Sequence, residues 1–237
     1  MGFLGIFSTR RSLADSGVLS GTTDRHSHIL HGVDDGIKTV EDSIAAISFE
    51  ESLGVTDIWC TPHVMEDMPN KTESLKARFE ELCAAYSGPV HLHLAAEYMI
   101  DPLFETRLRN RDLLTMEDNI LLVETSTIAP PYDLEGSLND AMSAGYRPML
   151  AHPERYRFLE VKDIVRLHQM GVCLQLNIAS LTGYFGRSAK DKAEQLLKSG
   201  MYCAYGSDCH RSRTIQEQYS RKEITKDIIQ QLSVIKF

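Results

Sequence analysis

The chain alternates short apolar runs with longer stretches whose apolar residues recur at helical spacing. The short runs are GVTDIWCT (54–61), PVHLHLAAEY (89–98), NILLVET (119–125), YRPMLAH (146–152), GVCLQLN (171–177) and MYCAYGS (201–207), and an earlier strand ends in His26 and His28. Each has strand length. Between them lie helical patterns over 40–53, 71–86, 134–144, 161–170 and 188–199; the first carries Val40, Ile44, Ile47 and Leu53 on one face. Repeated βα units predict a mainly parallel sheet covered by helices. Six or seven such units in one domain predict a closed or nearly closed barrel, in which functional groups gather at the C-terminal strand ends. No internal repeat, low-complexity tract or linker interrupts the pattern. The last segment, from Thr214 to Phe237, reads as a charged helix followed by a short apolar end.

Composition narrows the function. The 237 residues suit one large domain, and a hydrophobic content of 43% supports a real core. The formal net charge of -8 opposes a nucleic-acid surface, which needs a basic patch. Cys60, Cys83, Cys173, Cys203 and Cys209 are odd in number and not spaced as a disulfide framework, as expected of reduced thiols in the cytoplasm. The start of the chain lacks the features of a signal peptide, and no apolar run is long enough to span a membrane.

The strand ends carry the chemistry. The first delivers His26 and His28, and CTPH delivers His63. HLAAEY brings Glu97, LLVET brings Glu124, MLAHPERY brings His152, and GSDCH brings Asp208 and His210. Histidine and carboxylate are the ligands of borderline divalent ions such as Zn²⁺, Mn²⁺ or Fe²⁺. Strand alternation puts both members of each close pair on one face, aimed at the barrel mouth. So many ligands exceed the needs of one ion, which predicts two or three metals sharing carboxylates. The other candidates have ordinary readings. His91 and His93 fit hydrogen-bonded histidines or an N-terminal strand end, and His168 fits a helix C-terminal residue. Tyr98 and Tyr132 fit packing residues or, for Tyr132, a shaper of the mouth.

Taken together, the motifs DRHSH at 24–28, VDDG at 33–36, TPH at 61–63, AAEY at 95–98, AHPERY at 151–156 and GSDCH at 206–210 resemble the polymerase and histidinol phosphatase (PHP) superfamily. Within it they are most similar to the manganese-dependent protein-tyrosine phosphatases of bacterial capsule and exopolysaccharide machinery. The resemblance implies a distorted (β/α)₇ TIM-like barrel of the PHP type, with residues 1–21 as an N-terminal extension of a single domain over 1–237. It implies three divalent ions, most simply Mn²⁺ with Fe or Zn as alternatives. Their ligands would be His26, His28, Asp35, His63, Glu97, Glu124, His152, Asp208 and His210. Asp34 is the neighbour that competes with Asp35 for that role. Arg155, with Tyr156 beside it, would meet the substrate phosphate, and Arg211 or Arg213 would supply a second arginine. His31 and Val64 depart from the branch's usual residues at the rim of the site.

These residues predict hydrolysis of a phosphate ester by a hydroxide that bridges two metals, since coordination lowers water's pKa from 15.7 to about 7, and the resemblance implies phosphotyrosine as that ester. The partner implied by the resemblance is a phosphotyrosine protein, a bacterial tyrosine kinase of polysaccharide export. The thiolate route is excluded, because no cysteine is followed by Arg six positions later. Two alternatives keep the fold: a phosphatase of a small monoester such as histidinol phosphate, and a non-catalytic metal-binding regulatory module.

Overall fold

The structure, a computed structural model, describes residues 10–235. The chain start, on which the reading of no signal peptide rests, lies largely outside the described residues. In chain order the strands are β1 (Thr23–Ser27), β2 (Asp57–Cys60), β3 (His63–Val64), β4 (His91–Leu94), β5 (Glu97–Met99), β6 (Ile120–Glu124), β7 (Arg147–Ala151), β8 (Cys173–Asn177) and β9 (Ala204–Gly206). The helices are α1 (Leu13–Ser16), α2 (Val40–Ser52), α3 (Thr72–Ala85), α4 (Pro102–Asn110), α5 (Leu134–Ser143), α6 (Val161–Gln169), α7 (Arg187–Lys198), α8 (Ser212–Tyr219) and α9 (Lys226–Val234).

All strand pairings are parallel. One sheet runs β1-β2-β4 and the other β3-β5-β6-β7-β8-β9. Beyond β9 the chain returns to β1: Asp208 N–H donates to His26 O (2.8 Å) and His28 N–H to Cys209 O (3.1 Å). The sheet therefore curls back on its first strand, as a distorted TIM-like barrel does.

Two expected strands are broken. The run 54–61 yields β2 and β3, separated by Thr61 and Pro62, and the run 89–98 yields β4 and β5, separated by Ala95 and Ala96. Pro62 has no N–H for the ladder and a fixed φ, which ends the first segment. The pairing nevertheless continues beside the break, with Ala95 N–H donating to Cys60 O (3.0 Å) and Glu97 N–H to Pro62 O (3.1 Å). The bends set His63 and Glu97 at the start of the second sheet, side by side in register.

Alternation along the strands divides two faces. Leu121, Val123, Leu150, Leu174 and Leu176 join the large core under the helices. Leu122, Met149, Ala151 and Ala204 form a smaller apolar layer with Trp59 and Cys173. Glu124 and Gln175 continue this second face, so an apolar floor underlies the polar site. Each fully buried leucine or isoleucine contributes about 1.5–3 kcal/mol.

The helices begin where side chains can accept from free N–H groups. Thr39 accepts from Asp42 N–H at α2, Asp133 from Gly136 N–H at α5, and Asp101, followed by Pro102, from Phe104 N–H at α4. The sequence pattern missed α4, although Asp-Pro is a start signal. The C-terminal segment is two helices instead of one. Ile224, fully buried, breaks it by exchanging backbone hydrogen bonds with Arg11 (2.8 and 2.9 Å), and Thr225 then caps α9. Arg11 through this pairing, and Leu13 and Leu19 through the large core, tie the segment before β1 to the body of the fold. Among the described residues no helix is long and apolar enough to cross a membrane.

Candidate metal centre

The expected ligands converge around Glu97. Its Oε2 lies 3.2 Å from His26 Nε2, 3.2 Å from His28 Nε2 and 3.0 Å from His63 Nδ1. Its Oε1 lies 3.3 Å from His152 Nε2. Glu124 Oε1 stands 3.0 Å from His63 Nδ1. Asp208 Oδ1 is 3.3 Å from His28 Nε2 and 3.4 Å from His210 Nδ1. At the outer edge, Asp35 Oδ1 is 3.4 Å from His210 Nε2 and 3.6 Å from His63 Nε2.

This donor set fits divalent cations. His28, His63 and His210 form one trio whose ligand atoms lie within 4.8 Å of one another; His26, His28 and Asp208, His26, Glu97 and His152, and His63, Glu97 and Glu124 form others. Both Glu97 oxygens, Glu124 Oε1 and His63 Nδ1 are buried with no hydrogen-bond partner. A buried carboxylate without partners costs several kcal/mol unless a cation compensates it. Sharing of His26, His28, His63 and Glu97 between trios is what a multi-ion site requires.

The backbone is shaped to aim these groups. His152 (φ +36°) and Asp208 (φ +52°) occupy left-handed conformations, which cost non-glycine residues energy and concentrate at functional sites. Gly206 has no room for a side chain: a Cβ there would lie 2.3 Å from His26 Cβ. Asp24 ties β9 to β1 without reaching the site, accepting from Ser207 N–H (2.8 Å) and Oγ–H (2.6 Å). Behind it Glu50 is fully buried, and burial and Asp24 raise its pKa well above the usual carboxylate value.

A surrounding layer fixes the imidazoles. Gln175 donates through Nε2 to Leu176 O (2.6 Å), so its Oε1 faces His26 Nδ1 at 2.9 Å. His26 Nδ1 then carries the proton, leaving the Nε2 lone pair for a metal. Asp34 does the same for His28 Nδ1 (2.8 Å) and also accepts from the backbone N–H groups of His63 (3.0 Å) and Gly36 (2.9 Å). The two adjacent aspartates thus divide: Asp34 is buried and orients, while Asp35 is largely exposed and faces His63 and His210. Asn177 Nδ2 donates to Asp208 Oδ2 at 2.9 Å.

Arg155 Nη1 meets the same Asp208 oxygen at 2.5 Å. With Asp208, His210 and Arg211 it lines a cavity of about 270 Å³. Arg213 lies outside that cavity; its side chain is 90% exposed and pairs with Glu217 (3.2 Å). Tyr156 departs from the expected contact with substrate. It is fully buried, stacks on Phe158, and its hydroxyl accepts from Thr125 N–H (3.2 Å), so it packs behind His152. His91 and His93 lie at the opposite, N-terminal strand ends, where His93 pairs with Asp57 at 2.9 Å. His168 Nδ1 lies 3.3 Å from Val172 O at the end of α6.

Residues 22–233 match the family model described as "Capsular polysaccharide synthesis, CpsB/CapC". The chain belongs to the CpsB/CapC family. It is 28% identical over 195 residues to the putative tyrosine-protein phosphatase CapC of Staphylococcus aureus, covering 79% of this chain and 76% of that one. It is also 28% identical over 198 residues to the tyrosine-protein phosphatase YwqE of Bacillus subtilis (strain 168), covering 81% and 78%. A solved structure described among "YwqE from Bacillus subtilis and CpsB from Streptococcus pneumoniae, unique metal-dependent tyrosine phosphatases" superposes with a TM-score of 0.74 at 25% identity, over 91% of this chain and 87% of that one.

The electrostatics of this CpsB/CapC site suit a cation. Burial disfavours the charged form of Glu97, yet His26 and His63 outweigh it and hold the carboxyl well below its usual range. Burial likewise opposes charge on Asp208, and His26, His28 and Arg155 reverse the balance. On His63, burial and His28 oppose the proton, but Glu97 and Glu124 push the pKa up to about 10. His63 thus holds a proton that a divalent ion would displace on binding.

Sequence reasoning missed Gln175, Asn177 and the orienting role of Asp34. The first two carried a signal: polar residues at alternate positions of the apolar strand GVCLQLN, both fully buried.

Proposed function

We propose that this chain is a metal-dependent protein-tyrosine phosphatase, acting in the cytoplasm on a phosphorylated tyrosine kinase of capsule or exopolysaccharide synthesis. The similarity to CapC, YwqE and CpsB, which are named tyrosine-protein phosphatases, supports the reaction. The observation that carries it here is a cluster of buried carboxylate and imidazole atoms without hydrogen-bond partners, from Glu97, Glu124 and His63, whose neighbours Asp35, Asp208 and His210 line one cavity with the cationic Arg155. Five free cysteines agree with a reducing compartment.

His26, His28, Asp35, His63, Glu97, Glu124, His152, Asp208 and His210 would hold three divalent ions, with Mn²⁺ the preferred choice. Bound there, the ions would supply a nucleophilic water at neutral pH and offset charge on the phosphoryl group. The chain's own residues do the rest. Arg155 turns its donors toward phosphate oxygens, a charge-assisted and often bidentate contact. Arg211, lining the same cavity, is the second arginine of choice. Gln175 and Asp34 hold the Nδ1 atoms of His26 and His28, so that the Nε2 atoms are the ones turned toward the ions. A phenolate departs more readily than an alkoxide, so no acid need be assigned to it. The fold belongs to this reading as well: counted as bent staves, β2 with β3 and β4 with β5 make seven, the (β/α)₇ number. One metallophosphatase domain spans the chain, with residues 1–21 as its extension.

The test is hydrolysis of a phosphotyrosyl peptide and of histidinol phosphate by protein stripped of metal and then reloaded with Mn²⁺. Activity that returns only with metal, favours the peptide and is lost in His210→Ala supports the proposal. Preference for histidinol phosphate overturns the protein substrate, and no turnover with metal bound points to the regulatory module.

A further inference from the structure

Two aromatic rings stand beside Arg155 at the mouth. Tyr184 and Phe185 lie between the 3₁₀ turn Ile178–Thr182 and α7, edge to face, with centroids 5.0 Å apart and ring planes at 90°. Gly183 (φ +73°) and Gly186 (φ +91°) bracket the pair in conformations that glycine adopts readily, and Gly186 N–H donates to Gly183 O (3.1 Å) to close a turn around the two rings. The Phe185 ring lies 4.3 Å from Arg155 Cζ, and Tyr184 lies 5.3 Å from Arg221 Cζ. Both aromatic residues line the same 270 Å³ cavity as Asp208 and His210. The other large apolar side chains exposed among the described residues, Ile128, Tyr132 and Val234, do not line it.

The geometry separates two tasks. A guanidinium has flat faces and an edge of donors. Arg155 sits over the Phe185 ring and holds Asp208 through Nη1, which leaves its other donors for oxygen acceptors. A phosphate held at that edge places its ester oxygen, and the group that oxygen carries, within the cavity walled by the two rings. An alkyl group gains only buried area there. An aromatic ring gains edge-to-face or offset contact with Tyr184 and Phe185 in addition. Tyr184 is 40% exposed, which is apolar surface left to water at the entrance of a polar site.

We infer that Tyr184 and Phe185 are specificity-determining residues that seat the aromatic ring of an aryl phosphate while Arg155 takes the phosphate. This rests on the phosphotyrosine reading above and adds to it the part of the chain that selects an aryl over an alkyl ester.

The test compares binding of phenylphosphonate and methylphosphonate, by calorimetry, to the Mn²⁺-loaded protein and to its Tyr184→Leu, Tyr184→Phe and Phe185→Leu variants. The wild type binds the phenyl compound more tightly. Tyr184→Leu weakens phenylphosphonate about three- to tenfold, and methylphosphonate about twofold or less. Tyr184→Phe retains the preference. Phe185→Leu weakens both through Arg155, the phenyl compound more. Equal weakening of both compounds in every variant, or a wild type that does not discriminate, overturns the inference. Turnover of a phosphotyrosyl peptide by the wild type separates the two claims. Selective phenylphosphonate binding without turnover sinks the proposed reaction and leaves the aromatic wall standing. Turnover with an unaltered phenyl preference in Tyr184→Leu and Phe185→Leu does the reverse.

Discussion

Gln175 Oε1 lies 2.9 Å from His26 Nδ1 and also accepts the backbone N–H of His152 at 3.2 Å. One buried amide on β8 therefore sets the tautomer of a candidate ligand on β1 and the position of a second candidate after β7. Gln175→Ala is expected to weaken Mn²⁺ binding about 10- to 100-fold, the usual loss when such an orienting partner is removed. Titration calorimetry on the folded variant measures it. Affinity equal to wild type would mean that packing alone orients His26.

The adjacent aspartates should separate in stability. Asp34 is buried and accepts from His28, His63 and Gly36, so Asp34→Ala leaves donors unpaired and costs about 2–4 kcal/mol. Asp35, with a side chain 64% exposed, should change stability by about 0.5 kcal/mol or less when replaced by alanine, while metal-dependent activity falls. Urea denaturation of the metal-free proteins reads the first effect directly. Equal destabilisation by the two substitutions would contradict the division.

The arginines should rank by the cavity they line. Arg155→Ala is expected to lower kcat/KM about 100- to 1,000-fold, as loss of a donor to a developing charge does. Arg211→Ala should cost less than that and Arg213→Ala least, because Arg213 points to solvent and pairs with Glu217. Steady-state kinetics on a phosphotyrosyl peptide give the order, and a larger loss at Arg213 than at Arg211 would reverse the assignment.

Glu154 yields a pH prediction. It is fully buried and accepts from Asn177 N–H, Ser180 Oγ–H and Tyr202 Oη–H. Burial outweighs these donors and pushes its pKa up to about 7. A carboxyl whose folded pKa exceeds its unfolded value takes up a proton on folding. Its contribution is fully present below the unfolded pKa, near 4.5, and falls away as pH rises through 7. The swing is on the order of 3 kcal/mol. In Glu154→Gln the amide oxygen still accepts from Asn177 and Ser180, and the amide N–H₂ donates to Tyr202. This variant should match wild type in Tm at pH 5 and exceed it at pH 8. Parallel melting curves across that range would refute the account.

Most of the candidate site was legible in one dimension because its residues, Asp35 apart, fall at or just beyond strand ends or at the bends that follow β2 and β4, and strand ends in a parallel barrel share one rim. The sequence by itself therefore determined the parallel α/β layout, the histidine and carboxylate character of the centre and the failure of any thiolate route. Residue type and period carry that information locally. Tertiary structure decided what depends on distant neighbours. It bent two expected strands at Thr61–Pro62 and Ala95–Ala96 and broke the C-terminal helix where Ile224 pairs with Arg11. It turned Tyr156 inward, gave Asp34 an orienting role beside Asp35, and brought Gln175 to a histidine 149 positions away. A side chain's partners across the barrel follow from how strands curl and pair. Hydrophobic period sets which face a residue occupies, and only the closed sheet sets what stands opposite it.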